Sequence, residues 1–190
     1  MPETKEPRVR TLRDALPGDL PFEKAIERMI RVDHAGEYGA VRIYEGQLAV
    51  LGERSVAPTI QHMAEQERVH LSKFEKIAAS RRTRPTALLP FWHVAGFMLG
   101  AGTAMMGEKA AMACTVAVEE VIDEHYSKQI EQLGDDEPEL AETFETFRQE
   151  ELEHRDTGLS HDAEGAPGYE VLKGAVKTGS RLAIWLSERI

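Results

Sequence analysis

With 190 residues, 42% hydrophobic and 29% charged, the chain is long enough to bury a substantial core and fits one globular unit. A formal net charge of −10 argues against nucleic-acid binding, because only the short cluster RRTR could meet a phosphate backbone. The lone Cys114 excludes an internal disulfide, so packing must hold the fold, as in a reducing compartment.

Residues 1–20, MPETKEPRVRTLRDALPGDL, are charged and proline-bearing without an apolar run. They are expected to form a flexible tail without a targeting signal, ahead of a single domain over 21–190. From Pro21, the apolar positions Phe22, Ile26, Ile30, Val41, Tyr44, Leu48 and Leu51 recur at helical spacing and predict a first helix. A second helix follows over 56–80, on Val56, Ile60, Met63, Phe74 and Ile77, with Pro58 in its first turn. The basic, proline-containing SRRTRPTALLP breaks the chain before a long apolar segment whose second half is a third helix ending near Leu133. After the turn GDDEPE, a fourth helix runs from Pro138 to Gly158, and a last one from Tyr169 to the C-terminus. No run alternates apolar and polar residues between turn signals, so the class is all-α.

Residues 3, 4, 7 or 11 apart share a helix face, so each apolar stripe reveals which polar residues travel with it. In the fourth helix the stripe is Leu140, Phe144, Phe147, Glu151, His154 and Gly158, which turns Glu151 and His154 inward and leaves Glu153 outside. In the second helix it carries Glu67 and His70, in the first Glu37, and in the third Glu119. Four carboxylates and two imidazoles buried without partners would cost several kcal/mol per ion. A metal supplies the missing charge. The spacing also repeats, since Glu37 precedes Glu67 by thirty residues and Glu119 precedes Glu151 by thirty-two, each pair ending in Glu-x-x-His. One Glu-x-x-His on a charged helix is an ordinary surface pattern. Two on apolar stripes, with two more glutamates at matching distances, form the ligand set of ferritin-like four-helix bundles holding two iron or manganese ions.

Around these six, Glu150 is placed to serve His70 and Gln66 to serve His154, since ligating histidines usually donate their other nitrogen to a carboxylate or carbonyl. Tyr126 continues the Glu119 stripe, and Asp33 lies one turn before Glu37 as a hydrogen-bond partner. His125 sits about 120° off the stripe, so a solvent-facing position is an equal alternative. His34, His62 and His161 are expected at the surface. Residues 88–107 carry no Asp, Glu, Lys or Arg, yet Pro90, four glycines and His93 weaken a spanning helix. An interfacial helix or the lining of an apolar access channel fits better. On the last helix Lys173, Lys177 and Arg181 recur beside apolar residues, which suits an anionic membrane surface as well as simple packing on the bundle.

The phrases RVDHAGEYGAVRIYEGQ, EQERVH, ACTVAVEEVIDEHY and EELEHRDTGLSHDAEGAPGYEVLK resemble the demethoxyubiquinone hydroxylases of ubiquinone biosynthesis, the Clk/Coq type of di-iron protein, over about residues 22 to 190. The resemblance implies Glu37, Glu67, His70, Glu119, Glu151 and His154 as ligands of two iron ions, choosing Glu119 over Glu120. It implies hydroxylation of the ring of a polyprenylated methoxy-benzoquinone with dioxygen as co-substrate and an external reductant, for which NADH is a candidate. It further implies a peripheral position on the cytoplasmic face of the inner cell membrane, and a lipid-binding partner protein. Two other functions compete. A ferritin-like ferroxidase or peroxide-detoxifying protein would use the same ligands without a lipid-facing segment, and a helical scaffold would bind no metal.

Overall fold

The computed structural model describes residues 11–190. Six helices follow one another: α1 (Phe22–Leu51), α2 (Ala57–Ser80), α3 (Leu89–Met105), α4 (Glu108–Leu133), α5 (Pro138–Ser160) and α6 (Tyr169–Ser187), with 3-10 turns at Leu12–Asp14 and Ala163–Gly165. No strand occurs among the described residues, and the class is all-α. Pro58, Pro90 and Pro138 each sit in a first turn, where a missing N–H removes no helical hydrogen bond. The apolar segment forms a helix of its own, α3, which ends before Gly107. There φ is +115°, a conformation that favours glycine and lets the chain turn into α4.

Of the expected tail, residues 1–10 lie outside the described residues. The segment after them is partly docked. Leu12 packs on the core, Thr11 Oγ1 donates to Asp136 Oδ2 at 3.2 Å, and Arg13 pairs with Asp136 at 2.6 Å.

The pairs α1–α2 and α4–α5 form two packed hairpins. Between α2 and α5 the structure is bridged by side chains, with His70 stacked on Phe147 at 4.0 Å and Phe74 beside Phe144 at 5.9 Å. Three apolar clusters result among the described residues, the smallest of them Cys114, Ala117 and Val118 of α4 with Val176 of α6. Of the two larger ones, one contains Tyr44, Ile60, Met63, Met112 and Val116, and the other Ile26, Ile30, Phe74, Tyr126 and Phe144.

α3 lies along α1 at backbone contact: a Cβ at Gly100 would collide with the Ile43 carbonyl, and one at Gly46 with the Phe97 carbonyl. α6 lies along α4. Lys173 and Lys177 reach Glu120 at 2.5 and 2.8 Å, and Arg181 reaches Glu124 at 3.0 Å. The basic row expected to suit an anionic membrane is therefore neutralised by α4, and the packing role prevails for these three cations. No described helix is long and apolar enough to cross a membrane.

Candidate metal centre

Glu37 stands on α1, Glu67 and His70 one turn apart on α2, Glu119 on α4, and Glu151 and His154 one turn apart on α5. Each belongs to the apolar stripe of its helix, so folding the stripes together carries all six into the interior. None is more than 3% exposed, whereas Glu153 is exposed. Burial of that degree is uncommon for ionisable groups unless they are paired or bind a cation.

Two overlapping groups emerge, Glu37, Glu67, His70 and Glu151, and Glu67, Glu119, Glu151 and His154, each with ligand atoms within 4.8 Å of one another. Glu67 and Glu151 belong to both. Glu151 turns Oε1 to His70 Nδ1 and Oε2 to His154 Nδ1, each at 3.1 Å. Glu67 turns Oε1 to His154 Nδ1 at 3.2 Å and Oε2 to His70 Nδ1 at 4.0 Å. Each shared carboxylate thus offers one oxygen to each half. Both Glu67 oxygens, Glu37 Oε2 and Glu119 Oε2 are buried and accept no well-formed hydrogen bond. Oxygens left in that state, beside imidazoles and without thiolate, fit a pair of iron or manganese ions.

Without a cation the centre must hold protons. Burial raises Glu67 and Glu119 well above the usual carboxylate range, and mutual repulsion adds to it. Burial works against ionisation of Glu151 too, but the bonds from His154 and His70 override it and bring its carboxyl to about 2. For His70, burial favours the neutral ring, yet Glu151 and Glu37 push it up to about 12.

The outer nitrogens are also engaged. His70 Nε2 meets Glu150 Oε2 at 2.5 Å, and His154 Nε2 meets Gln66 Oε1 at 3.1 Å. With Nε2 as the outer donor, each Nδ1 would be free to turn its lone pair to an ion in place of the proton it shares with Glu151. Tyr126 Oη donates to Glu37 Oε1. His125 is mostly buried and donates from Nε2 to Asp33 Oδ1 at 3.0 Å, which resolves the open choice for that residue. Gln129 donates to the same oxygen at 2.9 Å. Burial raises Asp33 above its ordinary value against the pull of His125. His34, expected at the surface, is 6% exposed because the face of α1 that bears it is covered, and burial lowers its pKa. His62 is exposed, and His161 is half-buried with Glu108 at 3.9 Å.

Sequence reasoning took Tyr44 only as an apolar position. It is fully buried and donates to Glu119 Oε1 at 2.9 Å. One signal was present: Tyr44 follows Glu37 by seven residues, as Tyr126 follows Glu119. Gln47 and Gln129 were missed as well.

Beside the centre, a cavity of about 400 Å³ opens between α1, α3, α4 and α6. Its walls include Gly36, Ala40, Leu99, Val118 and Ile122, with Phe91 and Leu182 near exposed apolar surface. None of the six cluster residues lines it; Gly36 and Val118 adjoin Glu37 and Glu119 in the chain.

Residues 24–187 match the family described as "Ubiquinone biosynthesis protein COQ7". The chain belongs to the COQ7 family. A relative from Rhodospirillum rubrum, "3-demethoxyubiquinol 3-hydroxylase", is 60% identical over 182 residues, covering 95% of this chain and 86% of the relative. The human "NADPH-dependent 3-demethoxyubiquinone 3-hydroxylase, mitochondrial" is 58% identical over 87% of this chain and 78% of its own length. The Saccharomyces cerevisiae "5-demethoxyubiquinone hydroxylase, mitochondrial" is 41% identical over the same shares. The resemblance drawn from the sequence phrases is thus to the right family, and a ferritin-like helical bundle is consistent with COQ7 membership.

Proposed function

We propose that this chain is a di-iron monooxygenase that hydroxylates the ring of polyprenylated demethoxyubiquinone in ubiquinone biosynthesis. The observation that carries the reading is the pair of shared carboxylates, Glu67 and Glu151, each offering one oxygen to each histidine within a dry cluster of six. Glu37 and His70 complete one position, Glu119 and His154 the other. Bound there, two iron ions supply the redox chemistry of dioxygen activation. One oxygen atom enters the ring and the other leaves as water, so each turnover draws two electrons and two protons from outside. The relatives named NADPH-dependent favour a nicotinamide dinucleotide as the electron source.

The protein's own groups supply orientation and dryness. Glu150 and Gln66 hold the two imidazoles in the tautomer that presents Nδ1 inward. Tyr44 and Tyr126 fix Glu119 and Glu37. His125, partly exposed, donates to Asp33 and so links that buried carboxylate to the surface.

A cavity of about 400 Å³ falls within the range usual for small-molecule sites, and its apolar walls suit a quinone ring with an isoprenoid chain. Exposed Phe91, Met98, Leu182 and Trp185 on α3 and α6 support a peripheral seat on a lipid surface, as a hydrophobic substrate requires. A ferroxidase would need no such cavity.

The test is turnover. Iron-loaded protein incubated with demethoxyubiquinone, oxygen and a reductant should yield a quinone heavier by one oxygen in mass spectrometry. Iron oxidation with no such product would favour the ferroxidase, and no bound iron would sink both.

A further inference from the structure

The two halves of the centre are related by an internal repeat that extends beyond the six cluster residues. Glu67 and His70 on α2 correspond to Glu151 and His154 on α5; Glu37, Tyr44 and Gln47 on α1 correspond to Glu119, Tyr126 and Gln129 on α4. The bonds correspond as well. Each tyrosine donates to the glutamate of the opposite helix. Each glutamine donates to a side chain one turn before that glutamate, Gln47 to Thr115 at 3.4 Å and Gln129 to Asp33 at 2.9 Å.

The repeat fails in its charges. Glu150 and Gln66 occupy equivalent places before Glu151 and Glu67, and each serves the histidine of the other helix. His70 therefore rests on a carboxylate at 2.5 Å, and His154 on a neutral amide oxygen at 3.1 Å. Asp33 and Thr115 differ in the same sense, with His125 bonded to Asp33 at 3.0 Å. Both outer carboxylates thus belong to the half built on Glu37 and His70.

On the di-iron reading above, we propose that the two metal positions are unequal: the one formed by Glu37, Glu67, His70 and Glu151 binds a divalent ion more tightly and fills first, with Glu150 as the positioning residue that sets the order. A carboxylate accepting from Nε2 makes the imidazole a stronger donor at Nδ1 and adds negative charge behind the ion, whereas an amide only orients the ring. Glu150 is 39% exposed, so its direct Coulomb field is screened and the effect passes through the hydrogen bond. Changes to such partners typically alter metal affinity by about 10- to 100-fold, which sets the expected gap between the positions.

Manganese(II) is a suitable probe, being paramagnetic and stable in air-free titration. Metal-free full-length protein should take up two ions in separable calorimetric steps, and one equivalent should give the spin-resonance signal of an isolated ion before a coupled pair appears at two. His154→Ala, which keeps the favoured position, should bind its single ion about tenfold or more tighter than His70→Ala. Glu150→Gln should weaken the first step by about tenfold and bring the two together, while Gln66→Glu should tighten the second. Glu150→Asp should recover part of the gap. Glu150 and Gln66 are only part-buried, so these variants should keep their helical circular dichroism. Two equal steps in the native protein, or a Glu150→Gln variant that weakens both steps alike, overturns the inequality while leaving the di-iron reading intact. Failure to bind any manganese or iron overturns the di-iron reading itself.

Discussion

On α5, Glu151 is fully buried between two imidazoles, while Glu153, two residues on, faces solvent. Glu151→Ala, which removes a carboxylate common to both positions, should abolish iron binding and turnover, whereas His154→Ala should abolish turnover and leave about one ion per chain. Glu153→Ala should change iron content and rate by no more than about twofold, as befits a surface substitution. Equal loss in all three, measured by iron analysis and product formation, would mean the cluster is not the metal site. The metal-free centre also has a pH signature. Against burial, Glu151 and Glu37 push His70 from the ordinary 6.5 up to about 12, so its stabilising proton is fully effective below about 6.5 and is lost as pH rises toward 12. Glu151, brought to about 2 from 4.5, contributes in the opposite sense: its stabilisation is present above about 4.5 and lost as pH falls toward 2. A metal ion must displace the proton on His70, so loading at pH 7 should release protons and tighten as pH rises. Calorimetry in buffers of different ionisation heat would reveal this, and a heat independent of buffer would contradict it.

At the scale of elements, the helices and the six-residue cluster were legible because burial imposes period 3.6 and the same stripes carried the polar residues inward. What a stripe does not reveal is the surface opposite. Tyr44 looked apolar because its ring is; only the α4 face across from it makes its hydroxyl a donor to Glu119. The cations of α6 suited a membrane surface and packing on the bundle equally until α4 supplied Glu120 and Glu124, four residues apart and facing the same row. His34 is a third case, since nothing in α1 alone says which of its flanks will be covered. The α1–α3 contact was equally hidden, for glycines read as helix weakeners in the sequence turn out to permit backbone contact. Gly100→Ala should force these helices apart and cost about 1–3 kcal/mol. At roughly 2–4 °C per kcal/mol for a chain of this size, thermal unfolding should fall by several degrees. An unchanged midpoint would show that α3 is not held by this contact.

For the whole molecule, the distribution of charge and apolar surface sets how it would meet a membrane. Phe91, Val94 and Met98 on α3 and Leu182 and Trp185 on α6 are each at least half exposed, and Phe91 and Leu182 also line the cavity. The cations that could have drawn this surface to anionic lipid are paired with α4, and the net charge of −10 opposes such attraction. Adhesion should therefore be driven by apolar burial, at about 25 cal/mol per Å² removed from water, and not by counter-ion effects. In vesicle sedimentation the protein should bind zwitterionic membranes at least as well as anionic ones, and about 0.5 M salt, where screening is strong, should not release it. Phe91→Glu combined with Trp185→Glu should abolish sedimentation while leaving iron content intact, since neither residue touches the cluster. Binding confined to anionic vesicles and reversed by salt would mean instead that Lys173, Lys177 and Arg181 leave Glu120 and Glu124 at the surface, opening the α4–α6 seam beside the cavity.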